Sequence, residues 1–206
     1  MKLYYLPGAC SLAAHIALEW LGKPYEAHKV ERDALKSPQY LKINPMGAVP
    51  ALADGDWTLT QNVAILEYLA EQAPQRGLLG GDSPRERAEA RRWLGFVNSD
   101  VHKTFSLLFG AQRYAAAEAA QEELRASAAR LLRQQFGIVD AHLVGREYLA
   151  GAKPSVADAY LFVVLRWAHA KQIDLGGLDR LAAFFQRMQA DPGVQAAMRA
   201  EGLEPA

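Results

Sequence analysis

The sequence predicts a small α/β layer joined to a larger all-helical domain. Three observations predict it. Short strand-like runs alternate with a helical pattern in the first third of the chain. A Gly- and Pro-bearing stretch follows at Pro74 to Gly81. Beyond it the strand signals almost vanish and helix caps take over. A length of 206 residues suits two such units.

Each element has its own signal. Lys2 to Leu6 is an apolar run stopped by Pro7-Gly8, which reads as a strand. Ser11 to Leu21 carries Leu12, Ile16 and Trp20 at helical spacing, and Gly22 closes it. Tyr25 to Val30 reads as a second strand. Ser37-Pro38 caps a short helix ending near Ile43, before Asn44-Pro45. Val49 to Ala53 and Trp57 to Thr60 flank Asp54-Gly55-Asp56, a hairpin signature. Asn62 to Ala73 is helical, with Ile65, Leu66 and Leu69 on one face. The strand–helix–strand unit favours a parallel pair with a right-handed crossover, and the hairpin adds an antiparallel edge.

The expected boundaries are 1–78 for the first domain, 79–83 for a linker and 84–206 for the second domain. Ser83-Pro84-Arg85-Glu86 is a capping box with proline at the first helical position. It opens a long helix that carries Trp93, Phe96, Val97, Val101, Phe105 and Leu108. Glu118 to about Leu143 is a second helix, and Gly137 is the residue expected to interrupt it. Ser155-Val156-Ala157-Asp158 caps a helix running to about Ala170. That helix is apolar nearly all round, as a central buried helix is. Asp179 to Ala190 and Gly193 to Ala200 complete the domain.

Composition excludes several functions. Twenty-three basic residues balance 23 acidic ones, so no net field gathers nucleic acid or an anionic membrane. No charge-free apolar run is long enough to span a bilayer. A single cysteine, Cys10, rules out an intrachain disulfide and any multi-cysteine zinc site. His15, His28, His142 and His169 show no metal-ligand spacing, so no metal is expected. A reducing compartment suits this cysteine usage, and a soluble cytoplasmic protein is the expectation.

Cys10 falls where the first strand hands over to the first helix. Free N–H groups and the helix dipole lower a thiol pKa there. The alternative is a small buried hydrophobe. Position 13 is Ala13, so a dithiol cycle within the chain is impossible. A cis Val49-Pro50 bond would free the backbone of Val49 for an extended peptide ligand; an ordinary trans proline is the alternative. Gln61-Asn62 opens the third helix, where free N–H groups bind carboxylates, unless Asn62 simply caps it. His102-Lys103 lies in the first long helix of the second domain. A histidine there would shape a pH–rate profile between about pH 5 and 8.

These residues together resemble a cytosolic glutathione transferase of the bacterial beta class. The resemblance is carried by Met1-Lys2-Leu3-Tyr4-Tyr5, Pro7-Gly8-Ala9-Cys10-Ser11-Leu12, Asn44-Pro45-Met46-Gly47-Ala48-Val49-Pro50-Ala51-Leu52, Leu107-Leu108-Phe109, Ala157-Asp158-Ala159-Tyr160-Leu161-Phe162 and Ala200-Glu201-Gly202-Leu203. It implies a thioredoxin-like first domain, a homodimer and glutathione as co-substrate. It implies that Cys10 hydrogen-bonds or covalently links the glutathione sulfur. Val49 before cis Pro50 would pair with the cysteinyl group, and Gln61 and Asn62 would receive the γ-glutamyl end. Ser99, His102 and Lys103 match residues that line the glutathione and electrophile sites. Cys10 and His102 are the expected catalytic residues. An apolar second-domain face of Phe105, Leu108, Phe109 and Trp167 would hold hydrophobic electrophiles.

Three features depart from the class. Gln61 and Asn62 replace its usual Glu and its Gly or Ser. Gly95 stands where the class has Asn. The segment Val30 to Leu41 is short, which leaves Lys36 as the candidate for its glutathione-contacting lysine. The implied activity is conjugation of the glutathione thiolate to electrophiles. Glutathione-dependent thiol–disulfide exchange through Cys10, and non-catalytic ligand binding, are the alternatives.

Overall fold

The structure, a computed structural model, describes residues 1–204; the last two residues of the expected second domain, 205 and 206, lie outside the described residues. Strand β1 (Lys2–Tyr5) leads through α1 (Ser11–Leu21) to β2 (Glu26–Lys29). The two strands pair in parallel, with Leu3 opposite Ala27. A short helix, α2 (Pro38–Leu41), precedes the hairpin of β3 (Ala51–Asp54) and β4 (Trp57–Thr60). Strand β3 runs antiparallel to β1, which gives the sheet order β2-β1-β3-β4. Helix α3 (Asn62–Glu71) follows the hairpin.

From Pro84 onward the described chain is helical. Helix α4 (Pro84–Phe96) opens on the expected capping box, with Ser83 and Glu86 satisfying each other's backbone N–H. The expected long helix is interrupted by a π-helical segment, Val97–His102, before α5 (Lys103–Phe109). Such insertions change which side chains face a site and often mark functional positions. Helices α6 (Glu118–His142), α7 (Val156–Ala170), α8 (Asp179–Ala190) and α9 (Pro192–Ala200) complete the fold.

Helix α1 packs on α3, α7 and α9, so the sheet-bearing half and the helical half share one buried seam. Its residues from Ser11 to Leu18 are all buried. Helix α7 is buried from Val156 to Leu165, as its apolar sequence requires. No described helix is long and apolar enough to cross a membrane.

Two expectations about the elements need correction. Helix α6 runs through Gly137 without a break. Its buried Leu132, Phe136 and Val139 hold the helix against its neighbours, and that packing outweighs the glycine's roughly 1 kcal/mol propensity deficit. Strand β3 begins at Ala51 instead of Val49, because Pro50 has no N–H to give the ladder. The expected linker is also less of a tether than its composition implies, since Leu79 is buried.

Candidate active site

The site begins at the loop between β1 and α1. Gly8 adopts φ +70°, a conformation L side chains resist, and so turns the chain toward the helix. Two contacts from the helical half pin it. Its N–H donates to Glu201 Oε2 at 2.9 Å, and its carbonyl accepts from Trp167 Nε1 at 2.8 Å. Cys10 then sits at the N-terminal end of α1 without capping it.

Cys10 is partly buried, and its sulfur is surrounded by protein. The thiol donates to the Val49 carbonyl at 3.4 Å. The Val49–Pro50 bond is cis. Backbone N–H groups of Cys10 and Ser11 do favour the thiolate, as the helix position predicts. Burial is the larger effect, and it pushes the thiol up to about 12. The expected low-pKa cysteine is therefore corrected to a protonated hydrogen-bond donor. Ser11, the next residue, serves the loop. Its buried hydroxyl accepts from the Leu6 N–H and donates to the Leu6 carbonyl, so it closes the loop and does not face the site.

Two clefts meet at Cys10 and His102. The smaller, about 170 Å³, is lined by Val49, Pro50, Gln61, Asn62, Asn98 and Tyr160. The larger, about 480 Å³, is lined by Pro7, Gly8, Arg32, Phe109, Trp167 and Lys171. Gln61 has φ +73°, rare for a side-chain-bearing residue, and makes no capping hydrogen bond. Asn62 does not cap α3 either. It is the first helical residue, and its Nδ2 donates to the Cys10 carbonyl at 3.1 Å. Its buried Oδ1 has no partner.

Tyr160 is the hub that sequence reasoning missed. Its hydroxyl lies 2.5 Å from His102 Nδ1 and 3.3 Å from Asn98 Oδ1. Burial holds the Tyr160 proton, the hydroxyl donates to Asn98 Oδ1, and the direction of its bond with His102 Nδ1 follows the His102 tautomer. Trp167 lies seven residues further along α7, on the same face. One helix therefore furnishes a wall for each cleft. The available signal was a tyrosine inside an otherwise apolar helix, where a buried hydroxyl demands a partner. Asn98 gave no such signal, because its direction depends on the π segment.

His102 is desolvated, and its pKa falls to about 4, with Lys103 as a lesser cause. It is therefore neutral across the range in which the sequence expectation had it titrate. The other expected residues are less central. Ser99 and Lys103 are exposed and line neither cleft. Lys36 donates to the Met46 carbonyl at 2.8 Å and braces the loop before Val49. Phe109 and Trp167 do line the larger cleft. Phe105 is fully buried beneath them, stacked 5.4 Å from Phe109, and Leu108 is not in the wall. Among the described residues no group of three or more His, Cys, Asp or Glu is placed to hold a metal.

This arrangement matches a known family in both halves. Residues 1–71 match the glutathione S-transferase N-terminal domain, and residues 97–192 match the glutathione S-transferase C-terminal domain. Glutathione S-transferase GST-4.5 of Xanthomonas campestris pv. campestris is 54% identical over 98% of this chain and 100% of its own length. A bacterial beta class glutathione S-transferase of Sphingomonas chungbukensis superposes with TM-score 0.87 at 39% identity, covering 99% of this chain and 100% of its own. A sphingomonad glutathione S-transferase complexed with glutathione does so with TM-score 0.87 at 40% identity and the same coverage. The chain belongs to the glutathione S-transferase family.

Proposed function

We propose that the protein transfers glutathione to hydrophobic electrophiles, with glutathione in the smaller cleft and the electrophile in the larger. The observation that carries this reading is the convergence on Cys10 of a backbone-lined cleft and an aromatic-lined one. The smaller cleft offers the Val49 backbone, the α3 N-terminus and the unpartnered Asn62 Oδ1. These suit a peptide with a carboxylate and an ammonium at one end. The residues given binding roles are Cys10, Val49, Pro50, Gln61 and Asn62, with Tyr160 positioning His102. Ser99 and Lys103 line neither cleft of the single chain, so the role proposed for them rests on a partner copy in a homodimer. The cytoplasm, where glutathione is abundant, is the proposed location.

The chemistry is a substitution or addition at carbon. The glutathione thiol gives its proton to solvent, and the thiolate attacks the electrophilic carbon. A C–S bond forms, and a leaving group such as chloride departs with its bonding pair. The Cys10 and Ser11 N–H groups and the dipole of α1, which favour negative charge on the Cys10 sulfur, would act likewise on a glutathione sulfur beside it. Immobilised glutathione is expected to retain the protein, and a chlorodinitrobenzene is expected to be turned over. Calorimetry without heat at millimolar glutathione would overturn the reading.

His102 supplies a pH prediction. A folded pKa of about 4 lies below the unfolded value of about 6.5. Its contribution to stability is thus present above about pH 6.5 and lost as pH falls through about 4. The melting temperature of the wild type is expected to fall more steeply across that window than that of His102→Gln. Above that window the pH–rate profile is expected to follow the glutathione thiol, and His102→Gln is expected to lower its height without moving its midpoint. A shifted midpoint would show that His102 titrates during turnover.

A further inference from the structure

The larger cleft has a charge asymmetry that conjugation of neutral electrophiles does not require. Two of its lining residues, Arg32 and Lys171, are cations, and none is acidic. Arg32 lies on the loop after β2, and Lys171 ends α7, so two separate elements bring like charges to one mouth. Among the described residues neither forms an ion pair. Lys171 Nζ lies 5.6 Å from the Phe109 ring centre, a position that places the ammonium at the edge of the aromatic wall. Glu31 and Asp33 flank Arg32 in the chain, but Glu31 pairs with Lys29 and neither lines the cleft, while Glu201 is buried behind the loop on Gly8 N–H and His15 Nδ1. Lys171 also complements the C-terminal dipole of α7, but that role does not account for Arg32.

We propose that Arg32 and Lys171 form an anion-recognising rim, and that the preferred second substrate is an aromatic electrophile carrying a carboxylate. The ring would lie against Phe109 and Trp167, with its reacting carbon toward Cys10 and its carboxylate at the rim. This rests on the glutathione-transfer reading above. Glutathione itself carries carboxylates, so it is the other source of the same chemistry. The placement favours the electrophile, because both cations line the aromatic cleft and neither lines the one containing Val49, Gln61 and Asn62.

The test compares a chlorodinitrobenzoate with its methyl ester in the full chain. In both, the thiolate displaces chloride and the thiol proton goes to buffer, so only the charge at the rim differs. Intrinsic reactivity cancels when the acid-to-ester ratio of kcat/KM is compared between proteins. The ratio is expected to fall about threefold in Arg32→Ala and in Lys171→Ala, and about tenfold in the double variant. Added salt is expected to lower the wild-type ratio and to leave that of the double variant unmoved. An unchanged ratio would overturn the proposal, as would a rise in the KM for glutathione equal to that for the acid. Calorimetry with unreactive dinitrobenzoate separates the two readings. Binding that weakens in the variants, from a wild type that conjugates neither substrate, would keep the anion rim and remove the transfer reaction. Binding equal to that of the ester in the wild type would remove the rim.

Discussion

Cys10→Ala is expected to keep glutathione conjugation within about tenfold of wild type while abolishing any mixed disulfide between chain and glutathione. The two chemistries ask different things of the sulfur. In exchange, the Cys10 thiolate attacks one sulfur of glutathione disulfide, a new S–S bond forms, the old one breaks, and a glutathione thiolate leaves. This chain has no other cysteine to take that part. In conjugation the nucleophile is the thiolate of glutathione, and Cys10 contributes a donor whose loss leaves the backbone N–H groups and the helix dipole in place. The structure favours the second use. A thiol pushed up to about 12 by burial and bonded to the Val49 carbonyl holds its proton at neutral pH. Compared with an unperturbed thiol at 9.0, its thiolate population is lower by about a thousandfold. Alkylation of Cys10 by iodoacetamide is therefore expected to be slower than that of free cysteine by about that factor. A fast-reacting Cys10, or a Cys10→Ala variant that still reduces disulfides, would overturn this assignment.

The same sulfur shows where sequence reasoning stops. The parallel first pair, the hairpin and the serine helix caps were legible, because hydrophobic period and turn chemistry act over a few residues. The position of Cys10 at the start of α1 was legible for the same reason. Its pKa was not. Dipole and N–H groups are local, but the desolvation that outweighs them comes from distant segments closing over the sulfur, Val49 among them. The use of the Ser11 hydroxyl was not legible either, since it bonds Leu6 across a turn whose shape the sequence does not give. In the helical half, spacing placed His102 on a helix, and the family resemblance placed it near the site. The π segment that turns Asn98 and His102 toward Tyr160 left no mark in the hydrophobic pattern. Phe105 and Phe109 show the matching error on the apolar side. Four residues apart on α5 they read as one face, yet one lies beneath the other and Phe109 alone reaches the cleft.

Asp158→Ala is expected to be the most damaging single change to stability, at about 3–5 kcal/mol. Asp158 is fully buried at the first turn of α7. One carboxylate oxygen accepts the Leu149 N–H at 2.8 Å. The other accepts the Ser155 N–H at 2.8 Å and the Ser155 hydroxyl at 2.6 Å. Alanine would leave three buried donors without an acceptor, in a helix that furnishes Tyr160 to one cleft and Trp167 to the other. For a chain of this size the melting temperature is expected to fall by about 10 °C. Asp158→Asn keeps one acceptor oxygen but presents an amide N–H₂ to the Ser155 N–H, so an intermediate loss is expected. Burial raises the Asp158 carboxyl to about 6, above its unfolded value of about 3.8. The stability linked to its proton is then present below about pH 3.8 and lost as pH rises through about 6. The advantage of wild type over Asp158→Asn is accordingly expected to narrow across that window. Melting curves at several pH values read both effects. An alanine variant that melts with wild type would mean that water satisfies the Leu149 and Ser155 donors, and that the start of α7 is open to solvent.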